Sequence, residues 1–349
     1  MKVLVTGGAG FIGSHLVEAL VAAAWEVRVL DLPVDPGGRL RSPGELVAGV
    51  EYVWGDVADA GVVHGAVEGV DAVSHQAAKV GLERGVADAP AYAANNDVGT
   101  ATLLAALDRS GFAGRLVLAS SMVVYGEGRY RCTEHGVVRP GPRRAEAMAD
   151  SDFEPPCPTC DRPLATEPID EDVALDPRNV YAATKAHQEH LCAVLGRQRG
   201  LPVTALRYHN VYGPRMPRDT PYAGVAAIFR SALERGEAPQ VFEDGRQQRD
   251  FIHVTDVARA NLAALTVEPA PAGAFNVATG EAHTVGEMAA ALADAFGPGA
   301  PRPVVTGAFR LGDVRHVLAS PAKARAVLGF QAEVGFSEGM AELATEPLG

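Results

Sequence analysis

The first fifteen residues constrain this chain more than any other stretch. Lys2-Val3-Leu4-Val5-Thr6 is a short apolar, β-branched run that reads as a buried strand. Gly7, Gly10 and Gly13 follow, and helix-like apolar spacing then runs from Phe11 through Ile12 to Ala24. Glycines gain meaning when they link a strand to a helix in this order. Gly7 permits the tight turn, Gly10 lets backbone approach a pyrophosphate, and Gly13 lets the helix sit close to the strand. The helix N-terminus then offers free N–H groups to phosphate oxygens. The stretch predicts a dinucleotide site.

A second strand over residues 26–31 ends in Asp31, 18 residues after Gly13. A carboxylate at that interval accepts hydrogen bonds from the adenosine ribose hydroxyls and repels a 2′-phosphate, which favours NAD over NADP. Residues 32–49, rich in proline and glycine, read as a surface loop. Further strands are expected over 51–56, ending in Asp56, over 71–75, and over 115–121, ending in Ser120 and Ser121. Helical spacing covers 90–108, with Asn96 inside it, and 179–196. Beyond a sixth strand at 201–206, the chain reads as helices at 223–235, 255–265, 285–296 and 322–328, with a short strand at 275–277. Strands alternating with helices predict an α/β fold, a parallel sheet doubly wound in the Rossmann manner. Gly7, Asp31, Asp56, Ala77 and Ser121 all fall at strand carboxyl ends, where such sheets bind ligands.

The formal charge of −12, from 31 basic and 43 acidic side chains, argues against a general nucleic-acid or anionic-membrane binder. No apolar run approaches the ~18 residues of a membrane span. Met1 leads straight into the first strand, so a cytoplasmic protein is expected.

Tyr181 and Lys185 lie four apart on one predicted helix face. A lysine ammonium and a positive nicotinamide ring would pull the tyrosine pKa from ~10 toward neutrality. The phenolate could then take a proton from a substrate hydroxyl while Ser121 holds the oxygen in line.

With these residues in place, the chain resembles the extended short-chain dehydrogenases/reductases, specifically the nucleotide-sugar epimerases and dehydratases. The resemblance rests on residues 6–13, Asp31, residues 75–78 and 96–100, Ser120-Ser121-Met122-Val123-Val124-Tyr125-Gly126, residues 181–185, 206–215, 249–254 and 310–313. It implies further cofactor contacts from Val57, Ala77, Ala78, Asn96 and Tyr208. It also implies nucleotide-sugar contacts from Lys79, Ser121, Met122, Asn210, Phe242, Arg249, Arg310 and Asp313, a UDP- or dTDP-linked substrate, tightly bound NAD, and a homodimer formed through the Asn96 and Tyr181 helices. The expected division is a cofactor domain at 1–208, rejoined by 247–280, and a smaller nucleotide-sugar lobe at 209–246 and 281–349. Family dehydratases carry an Asp-Glu pair after the serine. Here Met122 and Val123 stand there, which favours C4 epimerisation through a 4-keto sugar over elimination. Val317 falls at a gate position that some 4-epimerases fill with tyrosine, and His209 stands where phenylalanine is usual. A net keto-sugar oxidoreductase, a 4,6-dehydratase and a catalytically silent NAD-binding regulator remain open alternatives.

Ser121 and Tyr181 are 60 positions apart, about twice what such a connection needs. The excess, 127–166, contains Cys132-Thr133-Glu134-His135 and Cys157-Pro158-Thr159-Cys160. Two x₂-spaced ligand pairs predict a zinc-knuckle-like insertion with a closed, structural Zn²⁺ site. Cys192, alone on the Tyr181 helix, reads as a packed thiol.

Overall fold

The computed structural model describes residues 1–34, 38, 46–81, 85–218 and 224–349. The expected 32–49 loop therefore lies outside the described residues at 35–37 and 39–45. Strands β1 (Lys2–Thr6), β2 (Glu26–Asp31), β3 (Glu51–Trp54), β4 (Ala72–His75) and β5 (Arg115–Ser121) lead into an insertion. That insertion folds as a small antiparallel sheet of β6 (Arg129–Cys132), β7 (Gly136–Val138) and β8 (Ala165–Glu167). The chain continues through β9 (Val203–Tyr208), β10 (Asn210–Tyr212), β11 (Gln240–Val241), β12 (Gln248–Arg249), β13 (Phe251–His253) and β14 (Gly273–Val277), and then β15 (His283–Thr284) and β16 (Val304–Val305).

Seven strands form one all-parallel sheet in the order β14-β9-β5-β4-β1-β2-β3. The chain order reverses between β1 and β4, and that switch point is where an open α/β sheet makes its ligand crevice. Residues 240–242 and 249–253 make no hairpin with each other. β11 pairs with β16, and β12 with β15.

The helices are α1 (Phe11–Ala22), α2 (Ala60–Ala66), α3 (Ala89–Tyr92), α4 (Gly99–Arg109), α5 (Ala145–Ala149), α6 (Val180–Arg199), α7 (Val225–Glu234), α8 (Val254–Thr266), α9 (Val285–Phe296), α10 (Ala322–Leu328) and α11 (Phe336–Thr345). A π turn, Ala93–Val98, joins α3 to α4, so the single helix expected at 90–108 is locally over-wide. Such turns concentrate at functional sites.

Period-2 alternation sorts the two layers. Val3 and Val5 of β1 pack with Leu16, Leu20, Val257 and Leu265 of α1 and α8. Leu4, between them, packs on the other face with Leu103, Leu107 and Cys192 of α4 and α6. Each such burial contributes about 1.5–3 kcal/mol. A separate core of Phe229, Phe251, Met288, Leu292, Met340 and Leu343 holds α7, α9 and α11 together as a smaller lobe. The fold is a doubly wound Rossmann sheet with that lobe against its carboxyl edge.

Candidate active site

A cavity of about 590 Å³ opens at the carboxyl ends of the strands. Gly7, Gly10, Phe11, Ile12 and Gly13 line it together with Asp31, Asp56, Val57, Ala77, Ala78, Lys79, Tyr181, Lys185, Tyr208 and Asn210. A dinucleotide fits its glycine floor. A Cβ on Gly13 would stand 2.0 Å from the Gly7 carbonyl oxygen, and one on Gly7, at φ +69°, 2.7 Å from the Ala77 nitrogen. The backbone is therefore exposed where a pyrophosphate would lie. Helix α1 starts at Gly10 with no side-chain cap and no acid in its first turn, which leaves that turn's N–H groups for an anion.

Asp31 accepts from Ala9 N at 2.8 Å and Leu32 N at 2.7 Å, so β2 and the glycine turn fix its carboxylate at the cavity edge. Leu30, Leu32 and Val34 complete an apolar wall that the sequence reading missed. Their signal was the apolar run around Asp31.

Asn96 is corrected. It is fully buried and lines no part of the cavity. Its amide bonds Lys79 N and O at 2.7 and 3.0 Å and the Thr184 hydroxyl at 2.9 Å. The π turn swings it beneath the 77–79 backbone, where it supports the cavity wall, and Asn95 lines the cavity in its place.

The catalytic candidates converge at the inner end. Asn179 caps α6 by accepting from Ala182 N at 2.7 Å, which fixes the first turn that carries Tyr181. The Ser121 hydroxyl, at the end of β5, hydrogen-bonds Tyr181. Lys185 donates to the Ala119 carbonyl at 2.8 Å, and its Nζ stands 6.0 Å from the Tyr181 ring centre.

The protein alone sets the starting point from which a nicotinamide charge would act. Burial pushes the phenol up to about 12, the Ser121 hydrogen bond opposes it, and Lys185 has no resolved part in the balance. Burial also draws Lys185 down to about 8. Lys185 is held by the Ala119 carbonyl and not by the phenol itself, so any help it gives the phenolate acts through space.

Behind this end, Glu189 accepts from Ser120 and from two nitrogens of the Arg207 guanidinium, and Arg207 also donates to the Tyr125 hydroxyl. This buried bracket stiffens β5 and α6. It is built from residues far apart in sequence and was not foreseen.

The nucleotide-sugar candidates divide. Lys79 and Asn210 line the cavity, and the Asn210 Oδ1 is buried without a hydrogen-bond partner. An orphaned acceptor costs about 1–3 kcal/mol and marks a place for a ligand donor. Phe242, Arg310 and Asp313 sit outside the cavity in the smaller lobe, and Arg249 lies outside it on β12. Arg310 stacks over Phe242 at 5.0 Å, and Arg249 donates to the carbonyls of Gln248, Val314 and Arg315 at 2.7–2.8 Å. Met122 packs on a small core of Val124, Tyr125, Ile169, Ala186 and Val317. Val317 is 1% exposed within that core and bridges to Arg249, so it is a packing residue and not a gate. His209 is 3% exposed next to Asn276, with neither ring nitrogen at hydrogen-bonding geometry, and burial draws its pKa down to about 4. Cys192 is buried in the α4–α6 layer, which holds its thiol protonated.

In the insertion, the donor atoms of Cys132, His135, Cys157 and Cys160 all lie within 4.8 Å of one another.

The family described as "NAD dependent epimerase/dehydratase family" matches residues 3–146 and 158–278, a match broken inside the insertion. The chain is 35% identical to the dTDP-L-rhamnose 4-epimerase of Burkholderia thailandensis, over 99% of this chain and 94% of that protein. It is 31% identical to a dTDP-glucose 4,6-dehydratase of an Actinoplanes species, over 98% and 96% respectively. The NAD complex of the Thermus thermophilus UDP-glucose 4-epimerase superposes with a TM-score of 0.78 at 34% identity, covering 99% of this chain and 98% of the other. No described helix is long and apolar enough to cross a membrane. The cradle for a dinucleotide, the Ser-Tyr-Lys constellation beside it and the span of these matches converge: the chain belongs to the NAD dependent epimerase/dehydratase family.

Proposed function

We propose that this protein is a nucleotide-sugar 4-epimerase acting on a UDP- or dTDP-linked hexose. Bound NAD would lie along Gly7–Gly13 and Asp31 and supply the hydride acceptor and the positive ring that a Tyr181 phenolate needs. Tyr181 then takes the proton of the sugar 4-hydroxyl, Ser121 holds that oxygen, and Lys185 keeps α6 registered on β5 through Ala119. After the 4-keto sugar presents its other face, C4 would recover the hydride that the cofactor had accepted as the C4 oxygen takes its proton back from Tyr181, which completes the inversion.

One observation carries the choice among reactions. The positions after Ser121 hold Met122 and Val123, and the carboxylate tied to this strand end, Glu189, is consumed by Ser120 and Arg207. Elimination needs an acid and a base beside the sugar. Beyond Tyr181, which the oxidation already uses, Met122 and Val123 supply neither, which disfavours the dehydratase chemistry of some relatives.

The reading includes three finer points. Cofactor binding is assigned to 1–208 with 247–280, since β14 joins the main sheet, and nucleotide-sugar binding to 209–246 with 281–349. A homodimer is expected across α4 and α6, where Val98, at the start of α4, and Val194 are exposed. A structural Zn²⁺ is assigned to Cys132, His135, Cys157 and Cys160. Incubation of the purified protein with dTDP-L-rhamnose or UDP-glucose, without added cofactor and followed by NMR, should show inversion at C4. A strict need for stoichiometric NADH, or its accumulation, would make the protein a net oxidoreductase instead.

A further inference from the structure

The geometry points to the insertion as a zinc-held positioning module for the nucleotide-sugar lobe, with Arg143 as its contact. The inference rests on the function proposed above.

The metal centre is built to a specific size. Cys132 Sγ lies 3.5 Å from His135 Nδ1 and 3.7 Å from Cys160 Sγ, and Cys157 Sγ lies 3.7 Å from His135 Nδ1. A tetrahedral zinc with ordinary Zn–S and Zn–N bonds separates two sulfurs by about 3.8 Å and sulfur from nitrogen by about 3.5 Å. A disulfide would bring its sulfurs to about 2.05 Å. Both ligand pairs sit in the same kind of turn. Each turn ends on a left-handed residue, Gly136 or Asp161, and backbone N–H groups of Glu134, His135 and Arg162 hydrogen-bond the sulfurs of Cys132 and Cys160. Three thiolates and one imidazole leave no open position, so the ion is structural.

The segment between the two turns has little else to hold it. Its only helix is the five-residue α5. Yet this segment reaches the lobe through buried side chains, beside the bond that Glu127, at the insertion's start, accepts from Arg315 N at 2.7 Å. Arg143, its side chain 4% exposed, donates to both oxygens of Glu243 at 2.8–2.9 Å, to the Asp313 carbonyl at 2.8 Å and to its own segment at the Phe153 carbonyl. Glu243 in turn holds Arg315, whose side chain is fully buried and also paired with Asp244 and Glu154. Glu154 lies three residues before Cys157. The lobe segments gripped in this way, 242–244 and 313–315, carry Phe242 and Asp313 and supply the carbonyls that hold Arg249. No residue of the 127–166 insertion reaches the cofactor cavity, as far as the described residues line it. Zinc occupancy should therefore govern nucleotide-sugar affinity and leave NAD retention alone.

The test compares wild type, chelated wild type, Arg143→Gln and Glu154→Gln, measuring zinc by elemental mass spectrometry, retained NAD by absorbance, and dTDP and UDP affinity by calorimetry. About one zinc per wild-type chain is expected. Arg143→Gln should keep its zinc and NAD but weaken nucleotide affinity and raise KM about tenfold with kcat within twofold. Glu154→Gln, more exposed, should show a smaller shift in the same direction, and chelation should reproduce the Arg143→Gln affinity loss. Less than half an equivalent of zinc overturns the metal centre. Unchanged affinity in zinc-loaded Arg143→Gln overturns the coupling, as does loss of NAD in parallel with nucleotide. Wild type that binds neither dTDP nor UDP overturns the functional reading and the coupling with it, while its zinc content still decides the metal.

Discussion

The dinucleotide cleft and the smaller lobe are built by different means. The cleft is shaped by backbone: bare glycines, an uncapped helix start and strand ends in fixed register. Its side chains are few and anchored to main chain, as Asp31 is to Ala9 and Lys185 to Ala119. The lobe is shaped by side chains, with Arg143, Glu243 and Arg315 held in one buried network. Backbone geometry tolerates little change but serves any NAD enzyme. A side-chain network can be re-cut for a new sugar, and in this chain the insertion contributes part of it through Arg143 and Glu154.

The comparison breaks first, and most severely, at Tyr181. Tyr181→Phe removes the proton acceptor without touching the cofactor floor, so kcat should fall by about 10³-fold while bound NAD survives. Loss of NAD with activity would show that the phenol belongs to the cradle and not to the chemistry. The next largest effect is expected from Gly13→Ala. Its Cβ would lie 2.0 Å from the Gly7 oxygen, so α1 must shift, at about 1–3 kcal/mol, and NAD should be lost on purification. Affinity for dTDP or UDP should stay within a few-fold. If it collapses as well, the two halves are not separate constructions.

His209, buried just after β9, gives a pH test. Its folded pKa of about 4 lies below the usual 6.5, so the unfolded chain binds the extra proton between those values. Stability conferred by the neutral ring is present above pH 6.5 and lost as pH falls to 4. His209→Phe should remove that slope and become more stable than wild type by about 2–3 kcal/mol at pH 4.5, relative to their difference at pH 7. Parallel curves from urea unfolding at the two pH values would contradict it. The smallest effect belongs to the rim of the insertion. The Arg162–Glu134 pair is about half-exposed on both sides, so Arg162→Ala should change stability by less than about 1 kcal/mol and leave zinc in place.

The same contrast explains what the sequence disclosed. The glycine turn, Asp31, and Tyr181 with Lys185 were legible because local spacing sets their geometry. The four candidate zinc ligands were legible for the same reason, as two short ligand pairs. The setting of Asn96 was not legible because a π turn, invisible in helical periodicity, changes which residues of this stretch face the cavity. Val317 was misplaced because a buried β-bridge to Arg249 turns it inward. Arg143, Glu154, Glu243 and Arg315 read as ordinary surface charges in a chain with 31 basic and 43 acidic side chains. Only the fold brings them together, and the burial of Arg143, Glu243 and Arg315 then makes the network consequential.

The central claim is that hydride leaves C4 and returns to C4 within one turnover. It is tested most directly by a nucleotide sugar carrying deuterium at C4, incubated with the purified protein in ordinary water without added cofactor. The account predicts an epimer that retains the deuterium at C4. Loss of that label to solvent, or its appearance at another carbon, would contradict it.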